Sequence, residues 1–144
     1  MVDKQTLHVG YNEVWKYAIN RLGYEIYEDP DYQDCCRNDA KIIEICSRNG
    51  IENKLYALLH ECGHALIREN WKKFTQEYPA HADCGFDGRK SRSAKFKIST
   101  IEEEIEAWKR GKRLAQRLGI EINEERYDAN KAKYLMSYVL WAAG

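Results

Sequence analysis

The sequence predicts an α+β fold in which a small antiparallel sheet packs against helices. Three observations carry that expectation. Ala40-Lys41-Ile42-Ile43-Glu44-Ile45-Cys46 is a short run rich in β-branched residues, as strands are. The stretch from Leu55 to Ile67 is apolar on every side, which marks a buried helix. Two later segments repeat apolar residues at helical spacing.

The elements follow in order. Asn12 to Leu22 reads as a helix, with Val14, Trp15, Ala18, Ile19 and Leu22 inward and Gly23 as its stop. Tyr24-Glu25-Ile26-Tyr27-Glu28 alternates like a short strand, broken by Asp29-Pro30-Asp31. Residues 31–39 are polar and turn-like, and the Ile-rich strand comes next. Asn49 with Glu52 three residues later has the form of a capping box and should start the buried helix, which runs to about Asn70 or Trp71. From Thr75 to Ser99 the periodicity fails, apart from a short strand expected at Lys95 to Ile98. Thr100 can cap a helix from Ile101 to about Leu118, stopped by Gly119. A last helix, Asp128 to Ala143, carries Ala132, Leu135, Met136, Val139, Leu140 and Ala143 as its apolar stripe. Tyr134, Tyr138 and Trp141 on it read as core and dimer surface.

Length and composition bound the function. A chain of 144 residues suits one domain, 1–144, with a real core. Lys+Arg and Asp+Glu balance at 23 each, so no global field favours nucleic acid or an anionic membrane. No apolar stretch is long enough to span a bilayer, and the first residues lack a signal-peptide layout. Five irregularly spaced cysteines argue against a disulfide framework. The expectation is a cytoplasmic protein. The basic run Arg89, Lys90, Arg92, Lys95 and Lys97 reads as a solvated loop, and Cys35-Cys36 as structural.

Inside the buried helix stands His60-Glu61-Cys62-Gly63-His64, an HExxH motif. Positions i and i+4 share a helical face, so the two imidazoles can bind one Zn²⁺ with Glu61 beside them as general base. Burying three ionisable groups without partners would cost several kcal/mol, about the scale a metal relieves. Cys62 points away from both histidines and reads as core. The third ligand must come from another helix, and Glu103, Glu104 and Glu106 offer themselves. Glu104 shares a stripe with Ile101, Ala107, Trp108, Gly111, Ala115 and Leu118, all apolar or small. Glu103 and Glu106 lie with Lys109, Arg110 and Arg113 on the stripe expected to meet water. Glu104 is the expected ligand, and Ala107 and Gly111 would let the two helices approach closely.

These residues resemble a known family. A strand ending in Ile45-Cys46, a turn, an apolar helix with His60-Glu61-Cys62-Gly63-His64-Ala65-Leu66, and a later helix beginning Glu103-Glu104-Ile105-Glu106-Ala107 are similar to the minigluzincins. Within them the likeness is to ImmA/IrrE-type metallopeptidase-like proteins, and it spans residues 40–107. The family's usual Asn-x-Phe-Ala continuation is replaced here by Trp108-Lys109-Arg110-Gly111. The resemblance implies a zincin-like fold and a zinc-dependent peptidase of narrow specificity, acting on a protein or peptide that includes regulatory proteins. It also implies that the first glutamate of ExEA, Glu104, is a ligand, and that a His or Tyr stabilises the oxyanion. His81 is the candidate for that role, with Tyr78 behind it. Small zincins bind peptides along a sheet edge, so the substrate is expected beside Lys41–Cys46. The alternative function is a non-catalytic binding or regulatory protein of the same fold, DNA-associated through its basic loop.

Overall fold

The computed structural model describes residues 1–79 and 93–144. Helix α1 spans Lys4–Tyr17 and continues as a π-type turn, Ala18–Leu22, ending at Gly23 with φ 76°. It starts well before Asn12. Asp3 caps it, its side chain accepting the Thr6 N–H at 2.8 Å. Leu7, Gly10 and Tyr11 then extend the buried stripe of Val14.

Strands β1 (Glu25–Asp29), β2 (Cys35–Arg37) and β3 (Ile42–Cys46) form one sheet in the order β1-β3-β2. β1 pairs with β3 in parallel, and β2 pairs with β3 antiparallel. The expected antiparallel sheet is therefore a mixed one. The cause is β2, which lies within the stretch read as a turn. It is three residues long and too polar to show a period. The chain reverses before β2 and again after it, where Lys41 takes φ 54°, and two reversals leave β1 and β3 running the same way. β3 is thus central, with both edges paired, and cannot accept a substrate strand along Lys41–Cys46. Among the described residues, the unpaired edge on that side of the sheet belongs to β2.

Helix α2 (Ile51–Glu69) is followed by α3 (Trp71–Glu77), α4 (Ala94–Arg117) and α5 (Glu124–Ala143). α2 is the core of the fold: Leu55, Tyr56, Leu58, Leu59 and Cys62 are each 0% exposed. Ile43 and Ile45 of β3 belong to the same hydrophobic cluster, as do Leu7 and Val14 of α1 and Trp108 and Leu114 of α4. The Asn49–Glu52 capping box does not form; Gly50 is the N-cap, and Glu52 accepts from the Tyr56 hydroxyl at 2.8 Å. α4 begins at Ser93, whose side chain accepts the Phe96 N–H at 3.1 Å, so Lys95 to Ile98 is helix rather than strand.

α2 and α4 cross in backbone contact. A Cβ built on Gly63 would lie 2.0 Å from the Ala107 carbonyl oxygen, and one on Gly111 would lie 2.6 Å from the Leu59 carbonyl oxygen. α5 packs the opposite way round from its expected stripe. Met136, Val139 and Leu140 are exposed, and Tyr127, Tyr134 and Tyr138 turn inward. Among the described residues no helix is long and apolar enough to cross a membrane, and the four described cysteines are free.

Candidate metal centre

His60, Glu61 and His64 project from the middle of α2, and Glu103 and Glu104 from α4 opposite them. The glycine crossing brings the two helices close enough for these side chains to meet. His60 Nε2 and His64 Nε2 each lie 2.9 Å from the same oxygen, Oε2 of Glu104. Glu103 Oε2 lies 2.7 Å from His64 Nδ1. Glu61 Oε1 is 3.3 Å from His60 Nδ1. The expected stripe of α4 holds in its middle, where Glu104, Ala107, Trp108, Gly111 and Ala115 are buried, but not at its ends: Ile101 is half-buried and Leu118 exposed. Glu103 departs from it. It is half-buried and reaches the site, whereas Glu106 pairs with Arg110 at 3.1 Å.

The charges fit this geometry. Burial alone would raise the Glu104 pKa, but its bonds to His60 and His64 outweigh that and hold it well below the usual carboxylate range. Burial works against a charged His64, yet Glu103 and Glu104 together raise its pKa well above the ordinary value. Both its ring nitrogens then donate, one to each glutamate. Burial raises the Glu61 pKa, and the neighbouring histidines only partly oppose this.

His60, Glu61 and His64 form a buried group whose ligand atoms lie within 4.8 Å of one another, and such a group could hold a metal ion. Two further observations fit one. Glu61 Oε2 is buried with no hydrogen-bond partner, an arrangement that leaves a carboxylate lone pair aimed at nothing in the protein. The separation of 2.9 Å between each histidine nitrogen and Glu104 is a hydrogen-bond length; tetrahedral ligands about 2.0–2.1 Å from zinc stand only a few tenths of an ångström farther apart. Glu103 on Nδ1 of His64 would orient the ring and leave Nε2 for the ion.

A cavity of about 220 Å³ opens onto these groups, and its walls bring in residues the sequence reading assigned elsewhere. Tyr134 and Tyr138 line it, so they are site residues and not merely core or dimer surface. The Tyr134 hydroxyl donates to Asp34 Oδ2 at 2.9 Å, and burial with Glu104 beside it raises the Tyr138 pKa. Cys35 and Cys36 of β2 also line it. Cys35 Sγ donates to Glu44 at 3.2 Å, and burial with that carboxylate pushes its pKa up to about 11, so it stays a thiol. Cys62 is core, as expected. His81 lies outside the described residues, as do Cys84, Arg89, Lys90 and Arg92. Tyr78 packs on Phe74, ring centroids 4.6 Å apart, and does not line this cavity. A helical spacing of tyrosines, 127, 134 and 138, was the signal in the sequence that could have found the α5 wall.

No protein-family model matches the chain, and neither does any curated protein or solved structure.

Proposed function

We propose that this protein is a zinc-dependent peptidase of narrow specificity. One observation carries the reading: two histidines of α2 and a glutamate of α4 converge on one point, beside a buried carboxylate with an unused oxygen. In this reading His60, His64 and Glu104 hold the ion. Zinc held there would supply a bound water of lowered pKa and a Lewis acid for a peptide carbonyl. Glu61 would take the proton of that water and pass it to the leaving amine. Tyr138, on the cavity wall, is the donor for the developing oxyanion among the described residues. The peptide runs along the open edge of β2, Cys35–Arg37, main chain to main chain. The likeness of residues 40–107 to small zincins supports the same reading, and free cysteines agree with a reducing cytoplasm.

The experiment is metal analysis of protein purified without chelator, followed by a cleavage screen over a peptide library. About one zinc per chain is expected. Glu61→Gln keeps the zinc and loses cleavage, because glutamine fills the same volume and accepts no proton. Glu104→Ala loses the zinc. Protein that purifies without metal and gains no stability from added zinc ends the reading. Zinc-loaded protein that cleaves nothing in the library, with Glu61→Gln binding the same peptides equally well, would instead support a binding module.

A further inference from the structure

Glu104 and Trp108 stand one turn apart on the buried stripe of α4, and both meet the histidines of α2. Glu104 reaches the Nε2 atoms of His60 and His64, while Trp108 lies flat on the ring of His60, ring centroids 4.3 Å apart at 10°. The two imidazoles are therefore held in different ways. His64 has a carboxylate on each ring nitrogen, Glu103 at 2.7 Å and Glu104 at 2.9 Å. His60 has Glu104 on Nε2, but the acid beside its Nδ1 is Glu61, at 3.3 Å. A hydrogen bond from that side would engage the very carboxylate whose other oxygen has no partner.

The indole is itself held in place. Its backbone carbonyl accepts the Tyr127 hydroxyl at 2.5 Å. The Tyr127 ring meets it edge-on, centroids 5.2 Å apart at 75°, and the Tyr134 ring lies 5.5 Å away at 50°. The inward tyrosines of α5 thus back Trp108, and Trp108 backs His60. Volume alone does not call for tryptophan here. Its Nε1–H is buried without an acceptor, a cost that a wholly apolar side chain avoids.

We propose that Trp108 is the positioning residue of His60: its indole face fixes the plane of the imidazole, so that Nε2 stays aimed at the point it shares with His64 and Glu104. It does for His60 what Glu103 does for His64. A flat ring laid on a second flat ring can slide but cannot tip, and a tipped imidazole turns its lone pair off the line to the ion. Holding the ring by its face also leaves Glu61 free of that duty. The inference rests on the metal reading of the site and not on peptide cleavage.

The test measures zinc affinity of the full chain by competition with a chelator, beside unfolding of the metal-free protein. Trp108→Leu keeps an apolar side chain and removes the face; Trp108→Phe restores a face. Leu114→Ala, buried on the same helix and not among the residues lining the metal cavity, reports what lost packing alone does. Trp108→Leu should weaken zinc at least about tenfold, the size usual for a group that orients a ligand. Trp108→Phe should stay within about threefold of the parent, and so should Leu114→Ala whatever stability it loses. A leucine variant that binds zinc as tightly as the parent overturns the proposal. So does a phenylalanine variant as poor as the leucine one, or a Leu114→Ala that loses as much zinc affinity as Trp108→Leu. Proton NMR of the parent decides the matter even where Trp108→Leu does not fold. Ring protons of His60 stacked on an indole resonate upfield of those of His64, and they should do so before and after zinc is added. A His60 ring that leaves the stack when zinc binds overturns the proposal and leaves the metal reading intact. A parent that shows the stack and binds no zinc removes the metal reading, and the proposal with it.

Discussion

The α2–α4 seam and the outer face of α5 are both built from helical repeats, yet one is the tightest contact in the fold and the other faces water. At the seam, Gly63 and Gly111 bring main chain against main chain. The residues between them place His60, His64 and Glu104 on one another. On α5, Met136, Val139 and Leu140 repeat just as regularly, and Met136 and Leu140 are 57% and 67% exposed. Periodicity therefore marks a face without saying which way it turns. The deciding difference is polar. The tyrosines of α5 have hydroxyls that find partners on the inner side of the helix: Tyr127 donates to the buried Trp108 carbonyl at 2.5 Å and Tyr134 to the half-buried Asp34. A leucine face could not have satisfied those acceptors.

The seam should break first. Gly63→Ala drives a methyl into the Ala107 carbonyl, so the helices must separate. A loss of about 3 kcal/mol is expected, with zinc affinity falling together with stability. Thermal unfolding with and without zinc reads both; an alanine variant as stable as the parent would show that the helices can part freely.

The pH dependence of metal-free protein sharpens the comparison, since the seam carries the titrating groups. The His64 pKa is raised above its ordinary 6.5, so its contribution to stability is complete below 6.5 and is lost as pH rises through the folded value. The Glu104 pKa is lowered from 4.5, so its contribution is present above 4.5 and lost as pH falls through the folded value. Glu61, whose pKa burial raises, adds to the decline with rising pH. Chelated protein should therefore lose stability as pH rises above 6.5. Zinc-loaded protein should show the opposite trend, because the ion binds the deprotonated ring. Unfolding curves in chelator that stay flat or rise over that range would contradict the His64–Glu104 pairing.

Smaller effects belong to α5. Tyr134→Phe removes the hydroxyl and leaves Asp34 Oδ2 without its donor, at a cost of about 1 kcal/mol in denaturant unfolding. Leu140→Ser, on the exposed face, should change stability by less than about 0.5 kcal/mol. If the serine variant costs more than the phenylalanine one, the outer face is covered in solution and the inward tyrosines are not the anchor of α5.

Much of the site was legible because it is local. The spacing of His60 and His64 places them on one face of any helix, whatever packs around it. The face of Glu104 follows from the same period, and its burial with Ala107 and Gly111 agrees. Helix ends were less legible. Asp3 and Ser93 outcompeted Asn12 and Thr100 as starts, because a cap far from any apolar run leaves no mark on the hydrophobic pattern.

The sequence by itself determined which side chains could meet around a cation, because helical geometry repeats within a few residues. It also determined that Ala107 and Gly111 would let two helices close. Only the tertiary structure decided that β1 and β3 run parallel, that β2 and α5 wall the site, and that Glu103 joins His64. Those choices rest on pairs far apart in the chain, such as Tyr134 with Asp34 and His64 with Glu103. No local pattern encodes such a contact; it forms because a buried polar group must find its partner wherever the fold brings one near.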